Sequence, residues 1–331
     1  MKKWARRVLS ISILTIAWLF WGVFFPFILG FALWSDFRHN NKQVLARFSI
    51  YVLWFLTCEI LGVLCSLVIW LFCIGGLRQS RFYQLNFALQ RSWAGALFWG
   101  IVRVFDMQVK LSGHECLSRG QLILLARHVS SADSLLPSIF VSRAFHTHLR
   151  FVMKDALLWD PCLDIVGNRL PNCFIRRDRA SREQTRSQIR TLVDNLGATE
   201  GIVFFPEGTR FTQSKRKRIL EGLKNSDKVE AYNQGQALKN VLPPRRSGVL
   251  ALLEANPGAD VVFVAHCGLE TVHNLKELRT GSLVGRTIQI HFWRVPYQDI
   301  PTNEDERMQW IWKNWAAIDK WIVKASSQQT P

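Results

Sequence analysis

The sequence predicts an α/β protein, with a mixed sheet flanked by helices and two membrane helices preceding it. Two observations carry this reading. Long apolar stretches occupy most of the first 78 residues, whereas most of the charge lies after them. From Met107 onward, short apolar runs alternate with helical patterns, as expected where helices cover both faces of a sheet. The 331 residues suffice for one large domain plus additions. The chain divides into a 1–78 anchor with two apolar helices, a 79–106 segment that is either interfacial or the first core helix, and a 107–331 α/β domain with a basic insert at 211–247.

The N-terminus carries Lys2, Lys3, Arg6 and Arg7, and Val8 to Trp34 then runs 27 residues without a charge. That is long enough to cross a bilayer with some tilt. It exceeds a signal peptide's apolar region and is followed by no small-residue cleavage site, so a retained anchor is expected. Pro26 and Gly30 are tolerated in such a helix and could kink it. Phe48 to Leu77 reads as a second span containing one charge, Glu59, which is expected near an interface or paired with the first helix. Basic residues flank the spans on both sides, with a weak bias placing the N-terminus and the large domain in the cytoplasm. Two re-entrant or interfacial helices are the alternative. Arg81 to Phe105 is aromatic-rich and helical, suited either to the headgroup layer or to the core.

Within the α/β region the expected strands are Gln108–Leu111, Gln121–Ala126, Arg150–Val152, Cys173–Ile175, Gly201–Phe205, Asp260–Ala265 and Thr287–Phe292. A helix is expected from a capping box at Ser181 and Gln184, burying Ile189, Leu192, Val193 and Leu196 and stopping at Gly197. A last helix is expected from a second box at Thr302 and Asp305, with an acidic first turn that suits the helix dipole. The net charge of +17 implies a polyanionic partner, and the apolar N-terminus favours an acidic lipid surface over nucleic acid. Seven scattered cysteines have no metal-like spacing and form no evident disulfide framework, which suits a reducing compartment.

Three strand ends carry chemistry. The run Leu122–Ala126 delivers Arg127 and His128, followed by Ser130, Ser131 and Asp133. Ser130 or Ser131 could cap a helix holding Asp133 in its first turn. Across a strand-to-helix turn Asp133 can fold back on His128, fixing its tautomer and raising the basicity of its other nitrogen. A second strand ends at Pro206 and gives way to Glu207, Gly208, Thr209 and Arg210, with a flexible glycine and a guanidinium suited to phosphate. A third, Cys173–Ile175, ends in Arg176, Arg177 and Arg179. In a doubly wound sheet such ends converge on one crevice. His146 and His148 form a His-Thr-His pair, but no acid or cysteine cluster completes a metal site. His266 ends another strand and could approach the crevice, although it reads first as a satisfied core-edge histidine.

The ordered set HVSSAD (His128 to Asp133), FIRR (Phe174 to Arg177) and FPEGTR (Phe205 to Arg210) resembles motifs one to three of the glycerolipid acyltransferases. Within that family it is most similar to the 1-acylglycerol-3-phosphate (lysophosphatidic acid) acyltransferases. The resemblance covers about half of the chain. It departs from the family at Pro171, where a glycine is usual, and in VVFVAHCG (Val261 to Gly268), where a proline is usual.

The resemblance implies transfer of an acyl chain from an acyl thioester to the free hydroxyl of lysophosphatidic acid, giving phosphatidic acid. His128 would be the base and Asp133 its orienting acid. Arg177, Glu207, Gly208, Thr209 and Arg210 would form the acceptor site, with Lys154 as a further phosphate ligand. It implies no cofactor and no metal, with acyl-coenzyme A or acyl-carrier protein as donor substrate. The expected partners are a lysophospholipid, an acyl thioester and the membrane, and not nucleic acid. The insert 211–247, with nine Lys and Arg against three acids, could meet anionic lipid, coenzyme A phosphates or an acidic carrier. The rival readings are a lysophospholipid acyltransferase of another headgroup, a glycerol-3-phosphate acyltransferase, and a non-catalytic basic membrane-binding protein.

Overall fold

The computed structural model describes residues 3–118, 120–175, 182–226, 228–271 and 275–327. Two long helices, α1 (Lys3–Arg38) and α2 (Val44–Phe72), form an antiparallel hairpin. Both are long and apolar enough to cross a membrane. Pro26 lies inside α1 without ending it. The tight connection is held by Asp36, whose carboxylate accepts the Leu45 and Ala46 N–H groups at the start of α2.

The hairpin also lies against the rest of the protein. Near the start of α2, Arg47 donates to the carbonyl of Val104, and near its end the Ser66 carbonyl accepts from Arg169. Arg6 and Arg7 of α1 converge on the buried carboxylate of Asp164. Glu59 accepts from the indole N–H of Trp93 at 3.0 Å. Its partner is therefore the third helix rather than the first, because the face of α2 that carries Glu59 turns toward that helix. The outer side of the hairpin keeps Val23, Phe27, Phe31, Leu67 and Val68 exposed.

Helix α3 (Gln79–Val104) buries Phe87, Leu97, Phe98, Ile101 and Val102. After it come β1 (Gln108–Ser112), β2 (Leu122–Ala126), β3 (His148–Lys154), α4 (Pro161–Gly167), β4 (Cys173–Ile175), α5 (Arg182–Val193), β5 (Glu200–Phe204), α6 (Gln213–Lys224), α7 (Val229–Ala237), α8 (Arg246–Glu254), β6 (Asp260–Cys267), β7 (Thr287–Val295) and α9 (Glu304–Ser327). All seven expected strands are present, each within three residues of its expected ends.

The strands form one mixed sheet in the order β1-β7-β6-β2-β5-β3-β4. Every pairing is parallel except β6 with β7. The apolar run of β2 reads as continuous because this central strand is covered on both faces. Its alternate side chains separate accordingly. Ile123 and Leu125 pack with residues of α5, α8 and α9, while Leu122, Leu124 and Ala126 pack toward α3.

Three local expectations are corrected. The last helix is capped by Asn303, whose Oδ1 accepts the Asp305 and Glu306 N–H groups, and not by Thr302. Helix α5 ends at Val193 rather than at Gly197, although Ile189, Leu192, Val193 and Leu196 are buried as expected. Its capping residue Ser181 lies outside the described residues. The polar insert folds into α6 and α7: Thr212 caps α6, and Arg216 ties it to the carbonyls of Gln236 and Leu238. All seven cysteines are free.

Candidate active site

Sheet register places the candidate residues together. Ala126 ends β2 opposite Val264 of β6, and Leu125 lies opposite Phe204, the last residue of β5. His128, two residues past β2, is therefore level with His266 on β6 and beside the turn that follows β5. Topologically, these are the C-terminal ends of three adjacent parallel strands, where open α/β sheets place their sites.

Asp133 returns to His128 through a 3₁₀ turn, Ala132–Leu135, and not through the first turn of an α-helix. The reason is local. Asp133 Oδ2 accepts the Val129 N–H at 2.5 Å and the Ser130 N–H at 2.7 Å, which closes the loop tightly. Ser130 caps only within the turn, accepting the Ala132 N–H. The remaining oxygen of Asp133, Oδ1, lies 2.9 Å from His128 Nδ1. Asp133 is buried, whereas the His128 side chain is 20% exposed and packs on the ring of Phe205 at 4.4 Å. Burial works to raise the Asp133 carboxyl. The charge and hydrogen bond of His128, the neighbouring His266 and the backbone donors outweigh it and hold the group below the usual range. Nδ1 is thus engaged by a carboxylate, and Nε2 is the nitrogen turned away from it.

Glu207 does not face the crevice. It is fully buried, and its oxygens accept the His128 N–H and the Leu242 N–H, each at 3.0 Å. Burial pushes its carboxyl up to about 8, against the pull of those two donors and of Arg127. One of its oxygens thus holds the His128 backbone in place. The Phe211 N–H donates to the His128 carbonyl at 2.7 Å, so the turn after β5 grips both sides of that residue. Gly208 has φ +65, and a Cβ there would meet the Arg245 side chain at 2.8 Å. Thr209 is half-buried in the same turn, and Arg210 donates to Ser131 Oγ at 2.5 Å, beside His128 and Asp133.

This geometry gives a stability prediction. The folded pKa of Glu207 is raised above its ordinary value of 4.5, so its contribution is complete below about 4.5 and is lost as pH rises toward about 8. Glu207→Gln removes that titration and sets an amide NH₂ against a backbone N–H, which costs about 1–3 kcal/mol. Denaturant unfolding in detergent should find the variant less stable at pH 5, with the gap narrowing by pH 8.5. A gap independent of pH would contradict the assignment.

Residues 108–254 match the family model described as Acyltransferase, so the match takes in β1 through α8 and every described residue of the site except His266. Over these residues the chain is similar to the acyltransferases. It is 23% identical over 275 residues to a mouse protein named 1-acyl-sn-glycerol-3-phosphate acyltransferase epsilon, covering 78% of this chain and 73% of the relative. It is also 23% identical over 265 residues to a probable 1-acyl-sn-glycerol-3-phosphate acyltransferase 5 of Arabidopsis thaliana, covering 78% and 66%. The crystal structure of the 1-acyl-sn-glycerophosphate acyltransferase PlsC from Thermotoga maritima aligns over 83% of this chain and all of that one. The TM-score is 0.46 and the identity 15%.

Of the remaining expected residues, only Lys154 falls among the described ones. Lys154 is exposed at the end of β3, opposite Ile175 of β4. Arg177, two residues beyond Ile175, lies outside the described residues. No described contact joins Lys154 to His128.

Beneath the site lie Arg127 and His266, both noted at strand ends in the sequence, and Glu270, which was not. Arg127 is buried and donates to the carbonyls of Asn240 and His266 and to Glu270 at 2.6 Å. His266 is buried too, with Nε2 3.1 Å from the Arg127 carbonyl and 3.6 Å from Asp133 Oδ2, so it belongs to the site's support rather than to the core edge. The signal was available in register alone, because both histidines stand two residues past a paired position of adjacent strands. His148 stacks on Phe87 at 4.3 Å, and His146 is exposed. No group of three or more metal-ligating side chains occurs among the described residues.

Proposed function

We propose that the protein transfers an acyl chain from an acyl thioester to the free hydroxyl of lysophosphatidic acid, giving phosphatidic acid. One observation carries the mechanism: Asp133, held by two backbone N–H groups, fixes His128 through Nδ1 at 2.9 Å. With a proton on Nδ1, Nε2 is the basic nitrogen. It takes the proton of the acceptor hydroxyl as that oxygen bonds to the thioester carbonyl carbon. The tetrahedral adduct then breaks its C–S bond, and His128 returns the proton to the departing thiolate. The Asp133 carboxylate stabilises the imidazolium between these steps. No serine nucleophile is needed, and Ser130 Oγ is already engaged with the Ala132 N–H.

Arg210, beside Ser131, receives the acceptor phosphate, with Lys154 and Arg177 as its further ligands. The donor is acyl-coenzyme A or acyl-carrier protein, and no cofactor takes part. The α1–α2 hairpin holds the protein in the membrane with the α/β domain on the cytoplasmic side, because acceptor and product both reside in lipid.

The test is product formation from a labelled acyl thioester with lysophosphatidic acid, lysophosphatidylcholine or glycerol 3-phosphate as acceptor. Lysophosphatidic acid should react fastest. Loss of one charged hydrogen bond in Arg210→Ala should raise its KM about 10–100-fold. Equal rates with lysophosphatidylcholine, or an unchanged KM, would contradict the assignment of the phosphate site.

A further inference from the structure

A groove of about 730 Å³ runs along the outer face of α3, away from the residues assigned above. Arg91, Arg103, Arg143 and His146 line it, together with the indoles of Trp54 and Trp99. No carboxylate lines it, and none of these four basic residues makes an ion pair among the described residues. Several other arginines are paired with acids: Arg6 and Arg7 with Asp164, Arg127 with Glu270, Arg150 with Glu200 and Arg294 with Asp260. Three guanidinium groups lining one groove without an acid make it attractive to an external anion.

The position argues for a lipid-borne anion. Trp54 belongs to α2, one arm of the apolar hairpin, and its indole N–H donates to the Ala96 carbonyl of α3 at 2.9 Å. Trp54 and Trp99 remain 43% and 39% exposed at this seam, an amphipathic pair of the kind found at headgroup level. The thirteen residues from Arg91 to Arg103 span about 18 Å of helix, more than one phosphate needs. Between them the floor is built of Gly95, Ala96 and Gly100, which bring the groove close to the helix backbone.

We infer that this groove is a second lipid site, binding the phosphate headgroup of an anionic membrane phospholipid rather than the substrates of acyl transfer. Guanidinium forks match phosphate oxygens in pairs, and the tryptophans seat the glycerol and the first methylenes. The inference rests on the membrane location proposed above.

The test uses the purified full chain and the variant Arg91→Gln/Arg103→Gln/Arg143→Gln, in flotation with phosphatidylcholine vesicles alone or with 30% phosphatidylglycerol, a proportion of roughly membrane-like surface charge. All three side chains are at least partly exposed, so the variant should unfold at the wild-type temperature. Wild type should bind the anionic vesicles more tightly, and the variant should lose at least tenfold of that preference while binding neutral vesicles equally. Acyl transfer in detergent should be unchanged. Equal preference for anionic vesicles in both proteins would overturn the inference, whereas failure of wild type to bind any vesicle would instead overturn the membrane location. Loss of coenzyme A binding with the lipid preference intact would assign the groove to the donor and overturn the lipid reading.

Discussion

Replacing Asp133 with asparagine is expected to lower kcat for acyl transfer by about 10⁴-fold, the size of the loss when an orienting acid is neutralised in a serine triad. The carboxylate accepts from three donors: His128 Nδ1 and the Val129 and Ser130 N–H groups. An amide can satisfy only part of that set. If its oxygen keeps the two backbone donors, its NH₂ points at His128 and stabilises the tautomer with the proton on Nε2, which cannot then accept the hydroxyl proton. If the amide turns over, its NH₂ opposes two backbone N–H groups and the 3₁₀ turn loosens. KM for the thioester should change little, because Asp133 is buried away from the crevice. The check is steady-state kinetics beside a circular dichroism spectrum. A loss below tenfold in a folded variant would remove Asp133 from the mechanism.

Much of this arrangement was legible before any coordinates. The strands were marked by short apolar runs such as LILLA and GIVFF, because strands covered on both faces have no polar side to show. The His128–Asp133 pairing was legible because a five-residue separation across a turn allows a carboxylate to fold back. What the sequence concealed depends on register or on tertiary contact. In sequence Glu207 stands beside Arg210 as an expected member of the acceptor site, yet β5 runs next to β2 and carries Glu207 beneath the His128 backbone. His266 gains its meaning only because β6 flanks β2 on the other side. The helices of the insert were obscured by their polar composition. They form because Arg216 satisfies carbonyls at the end of α7 and Thr212 caps α6, contacts that no periodicity announces. The tight turn at Ala132–Leu135 was mistaken for a helix start, since an aspartate early in a helix and one closing its own loop look alike in sequence.

The most direct test of the central claim is acyl transfer by the purified protein and its His128→Ala variant, with lysophosphatidic acid and a labelled acyl thioester. Alanine removes the imidazole but leaves the supports of residue 128 in place. The Glu207 carboxyl still receives the residue-128 N–H, and the residue-128 carbonyl still receives the Phe211 N–H. The variant should therefore fold and bind both substrates. Loss of a general base removes about 10²–10⁴-fold of rate, and the upper end is expected here because the same ring also protonates the leaving thiolate. Phosphatidic acid formed by wild type, with a rate at least a thousandfold lower for the variant, is the result predicted. A variant that forms product within tenfold of the wild-type rate would contradict the assignment of His128 as the base.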